Sequence, residues 1–147
     1  MGFHMRFVSD DARGLSIIEL EETLAAAVPE CRVEPNGELA RDVYLGEHCL
    51  WEIEVFIRGD EVFDEERDVL LERVPDGDPA TVALVRKTLS NATAMIDVRF
   101  LHAGREMERA HELIDDLWAA LFARRSGVLH QDFNTFWGSD SSAPLLG

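Results

Sequence analysis

The chain has 147 residues, close to the commonest length for one domain, and 46% of them are hydrophobic, an ordinary globular share. Asp and Glu number 29 against 14 Lys and Arg, a formal charge of −15 with a pI near 4.6. Nucleic acids and anionic membranes are polyanions that such a surface repels, so neither is expected as a partner; a basic protein, a cation or no partner remains.

A chain of this length removes about 70% of its unfolded surface from water, so one domain over 1–147 is expected to fold without a disulfide or a metal. Lys87 is the only lysine. A GC-rich genome or a salt-adapted cytoplasm would produce the same bias, so the acidity also has a reading as solvation alone. Cys31 and Cys49 have no CxxC spacing, and no signal-like segment precedes them. The longest apolar run, Leu117 to Ala123, falls far short of the ~20 residues that span a bilayer. A cytoplasmic protein with reduced thiols is the expectation. Residues 1–4 end in a His that precedes Met5, a pair that cloning sites encode. They are read as vector-derived, and His4 is left out of any site.

Met5 to Val8 reads as a first strand. Ser16 and Glu19 have the spacing of a capping box, and Ile17, Leu20, Leu24, Ala27 and Val28 make a helical apolar stripe that Pro29 ends. Cys31 to Glu34 is a short strand, followed by a Pro35-Asn36-Gly37 turn and a strand from Leu39 towards Gly46. Leu50 to Arg58 alternates most clearly. Trp51, Ile53, Val55 and Ile57 point one way, and Glu52, Glu54 and Arg58 the other. Between Asp60 and Asp78 nine acids stand against two arginines, a net of −7 over 19 residues. Val62, Val69, Leu70 and Val74 make a narrow apolar stripe that suggests a helix from about Glu65 to Arg73. Asp78 caps the next helix, with Pro79 at its first position.

A strand of Ala94, Ile96, Val98 and Phe100 follows, alternating with Met95, Asp97, Arg99 and Leu101. The longest helix is expected over Arg105 to Arg125, with Arg124 and Arg125 complementing the negative end of its dipole. Gly127 is read as its C′ residue, Val128 to Phe133 as a final strand and 138–147 as a frayed tail. Phe136 and Trp137, near that tail, are read as covering the last strand's edge or as an anchor for a partner. The order predicts an α+β fold: a ferredoxin-like βαββαβ core in a mostly antiparallel sheet, helices on one face, and a C-terminal helix–strand extension. The last strand–helix–strand is a candidate parallel crossover.

Few residues suggest chemistry. Glu108, His111, Glu112 and Asp115 share one face of the long helix, but Glu-x-x-His is half of a carboxylate di-metal motif and no second copy exists. His111 is read as a boundary residue against Trp118, paired with Asp115. His48, His102 and His130 lack zinc-ligand spacing. No nucleophile elbow, Walker loop or dinucleotide fingerprint occurs, so no catalytic residue, metal or cofactor is assigned and an enzyme is not favoured. The leading expectation is a small interaction protein, an inhibitor or immunity protein neutralising a basic toxin or nuclease-like partner. Its partner-binding residues would be Asp60, Glu61, Asp64, Glu65, Glu66 and Asp68, with Glu52 and Glu54 extending the surface. The alternative is a small-molecule-binding or enzymatic domain, dimeric through its sheet, with a pocket at His111, Asp115 and Glu108. A salt-adapted domain whose charge means only solubility is the third reading.

Overall fold

A computed structural model describes residues 3–101 and 105–147. Among these residues, seven strands form one antiparallel sheet. In chain order they are β1 (Phe3–Ser9), β2 (Arg32–Pro35), β3 (Ala40–Leu45), β4 (His48–Ile57), β5 (Ala94–Phe100), β6 (Gly127–Gln131) and β7 (Thr135–Trp137). Across the sheet they run β2-β3-β4-β5-β1-β6-β7. Four helices join them: α1 (Ile17–Ala27), α2 (Glu61–Glu72), α3 (Pro79–Ser90) and α4 (Arg105–Arg124). No described helix is long and apolar enough to cross a membrane.

The mixed α+β class and the mostly antiparallel sheet agree with the sequence, and several finer features differ from the expectation. The strand order is not that of a simple βαββαβ chain. β5 and β6 run in the same direction but lie on either side of β1, each antiparallel to it, so α4 joins them without making a parallel pair. The helix–strand end of the chain is therefore no appendage, because β6 pairs along β1. Helices also lie on both faces of the sheet. Two separate apolar cores require this, and the pleat keeps them apart by sending alternate residues to opposite sides.

The first core holds Met5 and Phe7 of β1, Trp51, Ile53 and Val55 of β4 and Ile96, Val98 and Phe100 of β5, beneath Leu20 and Leu24 of α1 and Leu113, Ile114, Leu117, Trp118 and Leu121 of α4. The α4 residues recur every three or four positions, one broad stripe laid on the sheet. The second core holds Val8, Met95, Val128 and Phe136 beneath Phe63 and Leu70 of α2 and Val85 and Leu89 of α3. A bulge in the β3–β4 pairing, where Val43 opposes Trp51 and Tyr44 opposes Cys49, leaves Leu50 as the extra residue; Leu50 and Trp51 are both buried in the first core.

The caps follow the sequence, with one diversion. Ser16 Oγ accepts from the Glu19 N–H at 3.1 Å, and Asp78 Oδ2 accepts from the Thr81 N–H at 3.1 Å. The Glu19 carboxylate grips Arg125 instead of closing the capping box. Arg125 Nε and Nη2 donate to it at 2.5 and 2.8 Å, while Nη1 and Nη2 donate to the carbonyls of Arg13 and Gly14 at 2.7 and 2.8 Å. Arg125 is only 3% exposed. It is thus the clasp between the end of α4 and the start of α1, and more than a partner for the helix dipole. Gly127, expected as a helix C′ residue, opens β6. A Cβ there would stand 2.2 Å from the Val8 carbonyl oxygen, so only glycine lets β6 close on β1.

The α2 helix begins at Glu61, four residues ahead of the expected start, because Phe63 joins Leu70 two turns on in the second core. Beyond Trp137, where the sequence predicts fraying, the chain turns back and Leu146 bridges to Phe136. Leu146 is 5% exposed and belongs to the second core.

Candidate functional site

The second face of the sheet changes character from one row of residues to the next. Phe56, Met95, Val8 and Val128 lie side by side across β4, β5, β1 and β6, and the helices α2 and α3 roof this row. Two residues along each strand, the next row reads Glu54, Asp97, Arg6 and His130. One row further on, Glu34, Asp42, Glu52, Arg99 and His4 run from β2 to β1. These two rows carry charge where the neighbouring row is apolar; Arg6 and Asp97 are largely buried beside α2, His130 is fully buried, and exposure increases towards Glu54 and Arg99. His4, Glu52, Glu54, Asp97 and Arg99 line an open depression of about 310 Å³ on them.

Arginines organise the carboxylates. Arg99 pairs with Glu52. Arg6 reaches in two directions, to Asp97 at 3.2 Å within the sheet and to Glu66 of α2 at 3.3 Å. That double contact joins the acidic helix to the charged rows. Arg67 is held on α2 by Asp64 and Asp68. The expected partner-binding residues Asp60, Glu61, Asp64, Glu65, Glu66 and Asp68 thus all lie on α2 or its first cap, and Glu52 and Glu54 adjoin them. Asp60 takes the cap position without a side-chain bond. Glu61, Glu65, Asp68 and Glu72 form an outward stripe with Val62 and Val69, which are 48% and 38% exposed. His4 lies 3.2 Å from the Asp97 carboxylate, and its neighbour Phe3 stands edge-on to Phe100, so the first strand extends through both.

The residues of the alternative site all lie on α4, where His111 is near enough to Asp115 to act on its charge. His111 stacks on Phe100, with ring centroids 4.7 Å apart, and lies against Phe3; this aromatic setting differs from the expected contact with Trp118. Glu108 is exposed on the outer side of α4. Asp115 alone borders a cavity of about 280 Å³ on the first face, between α4, the β1–β6–β7 edge and the segment after β7. Burial raises the Asp115 carboxyl above the usual carboxylate range, against a smaller opposite pull from His111. Trp118 and Trp137 form walls of this cavity, and their indole N–H groups are buried without a partner among the described residues.

The other candidates have structural settings. His130 is fully buried on the second face, its Nε2 3.1 Å from the Phe133 carbonyl oxygen, and burial holds its pKa below the ordinary histidine value. His48 is exposed at the start of β4, and His102 lies outside the described residues. Burial pushes the thiols of Cys31 and Cys49 up, which makes them poor nucleophiles, and both are free. Phe136 is wholly buried, whereas Phe133, at 69% exposed, carries Arg73 over its ring at 4.7 Å. Among the described residues, no group of three or more His, Cys, Asp or Glu side chains is placed to hold a metal ion.

The molecule is thus a mixed α+β protein with one sealed sheet face and one half-roofed, acidic face. Comparison of the chain with protein families, with curated proteins and with solved structures finds no match in any of the three.

Proposed function

We propose that the chain is a small interaction protein that binds a basic protein through α2 and the adjoining charged rows of the sheet. In its most concrete form it is an inhibitor or immunity protein that neutralises a toxin acting on nucleic acid. The observation that carries this reading is the link made by Arg6. By holding Glu66 and Asp97 together, it makes one surface of the acidic helix and the charged rows of the sheet. A cleft built for phosphates meets carboxylates there instead. Like-signed charge over such an area steers an oppositely charged partner and speeds encounter, with a steep dependence on salt. Val62 and Val69 supply a small exposed apolar patch beside the acidic stripe, where a docking contact can exclude water.

We also propose a topological reading that supports this one. β1-α1-β4 and β5-α4-β6 are interleaved strand–helix–strand units, each straddling a strand of the other, as in a ferredoxin-like core. α1 and α4 pack together over the first face. The β2–β3 hairpin and the α2–α3 pair are then insertions, and the acidic helix belongs to one of them, anchored by Phe63 and Leu70 in the second core. Sites grafted onto a scaffold in this way are where function resides.

The test is capture from the lysate of the source cell on the immobilised chain at low salt, followed by a salt gradient. The expected result is one basic protein that elutes at moderate salt and is retained again when purified. Retention of no basic protein, or of one that purified chain does not rebind, overturns the reading.

A further inference from the structure

The cavity beside Asp115 has walls and charge that fit one kind of ligand. Trp118, Phe122 and Leu129 make one apolar side, and Trp137 faces from the chain's end. Its volume of about 280 Å³ corresponds to roughly nine waters at their share of the liquid. That is the lower end for a small-molecule site. Among the described residues, no Lys, Arg or His lines it, and Asp115 is the one charged residue that does. An anion would therefore find no counter-charge there. Asp115 is an exposed residue at the rim that makes no hydrogen bond or salt bridge among the described residues, and the cavity wall desolvates its carboxyl in part. A cation set against it would offset that desolvation, and indole faces attract cations further through their quadrupoles.

From this geometry we infer that the cavity binds a small organic ammonium ion with an apolar or aromatic body, its charge at Asp115 and its body between Trp118 and Trp137. This site is independent of the acidic α2 surface, which lies on the other face of the sheet. Ser139 and Ser141 complete the rim from the segment after β7, so an occupied cavity also holds the end of the chain against α4.

The experiment is a titration of the whole chain with phenethylammonium, followed by the three tryptophan indole N–H resonances in nitrogen–proton correlation spectra. Phenylacetate and 2-phenylethanol are titrated at the same ionic strength. Trp118→Phe and Trp137→Phe assign the signals, and Trp51, buried under the sheet's first face and absent from the cavity wall, is the internal reference. The ammonium ion should shift the Trp118 and Trp137 signals saturably and leave Trp51 in place. Asp115→Asn should weaken that binding about tenfold. Glu108→Gln, which removes an exposed charge from the same helix outside the cavity, should leave it unchanged, excluding general attraction to an acidic surface. Equal shifts with phenylacetate or 2-phenylethanol, equal affinity in Asp115→Asn, or no saturable shift would overturn the inference.

Discussion

The two faces of the sheet are built from alternate residues of the same strands, yet they are finished differently. On the first face, α1 and α4 cover apolar residues of β1, β4 and β5 along their length, and Arg125 locks the two helices with four hydrogen bonds to Glu19, Arg13 and Gly14. On the second face, α2 and α3 cover a single row, and the next two rows are left charged. A strand needs only one apolar face to be held in place. What stands on the other is free to be chosen for solvent or for a partner. Here the choice is carboxylates, with Arg6 spanning from the sheet to the helix that supplies the rest.

The sealed face should be the easier one to break. Arg125→Met leaves the Glu19 carboxylate and two carbonyls without their buried donor, and removal of one partner from a buried pair typically destabilises by about 3–5 kcal/mol. Urea denaturation should register a loss of that order, and adding Glu19→Gln should recover part of it. A loss below about 1 kcal/mol would mean that the clasp contributes little beyond a surface ion pair.

Within the second face, neighbouring rows should behave as opposites. Met95→Ala opens a cavity beneath α2 and α3 and should cost about 2–5 kcal/mol. Glu54→Gln, one row away on the adjacent strand, should stay within about 0.5 kcal/mol of the parent. Similar losses at the two positions would show that the charged rows are part of the packed structure.

A smaller effect comes from His130, which sits in the charged row but is fully buried. Its folded-state pKa is depressed, chiefly by burial, below the ordinary value of 6.5. The folded chain therefore binds the proton less readily than the unfolded chain. The neutral imidazole's contribution is fully present above the unfolded pKa and is lost as pH falls from there through the folded pKa. The slope can reach about 1.4 kcal/mol per pH unit in that window. Unfolding free energies measured across it should fall less steeply in His130→Asn than in the parent, and parallel curves would remove His130 as the cause.

Local chemistry was legible in the sequence, and long-range placement was not. The Ser16 and Asp78 caps and the alternation of β4 and β5 follow from residues within one turn or a few positions, and the structure has them where that logic puts them. Met95, Asp97 and Arg99 were readable as one side of a strand. That Met95 is roofed while Arg99 is not depends on where α2 and α3 land, which periodicity does not encode. The second core was hidden because Phe63 and Leu70 stand seven residues apart in a strongly acidic segment, a stripe too narrow to announce a buried face. Arg125 looked like any arginine at a helix end, since nothing adjacent to it reports that Glu19 and two carbonyls converge there. The cavity at Asp115 escaped for the same reason: Trp118 was visible on its helix, but Trp137 arrives from the far end of the chain.

The central claim, that the acidic α2 surface is the docking face, is tested most directly by association rates over a range of ionic strength with the captured basic partner. Two variants with the same change in net charge are compared. One carries Glu61→Lys, Glu65→Lys, Asp68→Lys and Glu72→Lys on α2. The other carries Glu22→Lys, Glu108→Lys, Glu112→Lys and Asp116→Lys on the exposed sides of α1 and α4. The account predicts that the α2 variant associates at least about tenfold more slowly at low salt and loses most of its salt dependence, while the second stays close to the parent. Equal slowing in both variants would mean that only the total charge matters, and would contradict a docking face on α2.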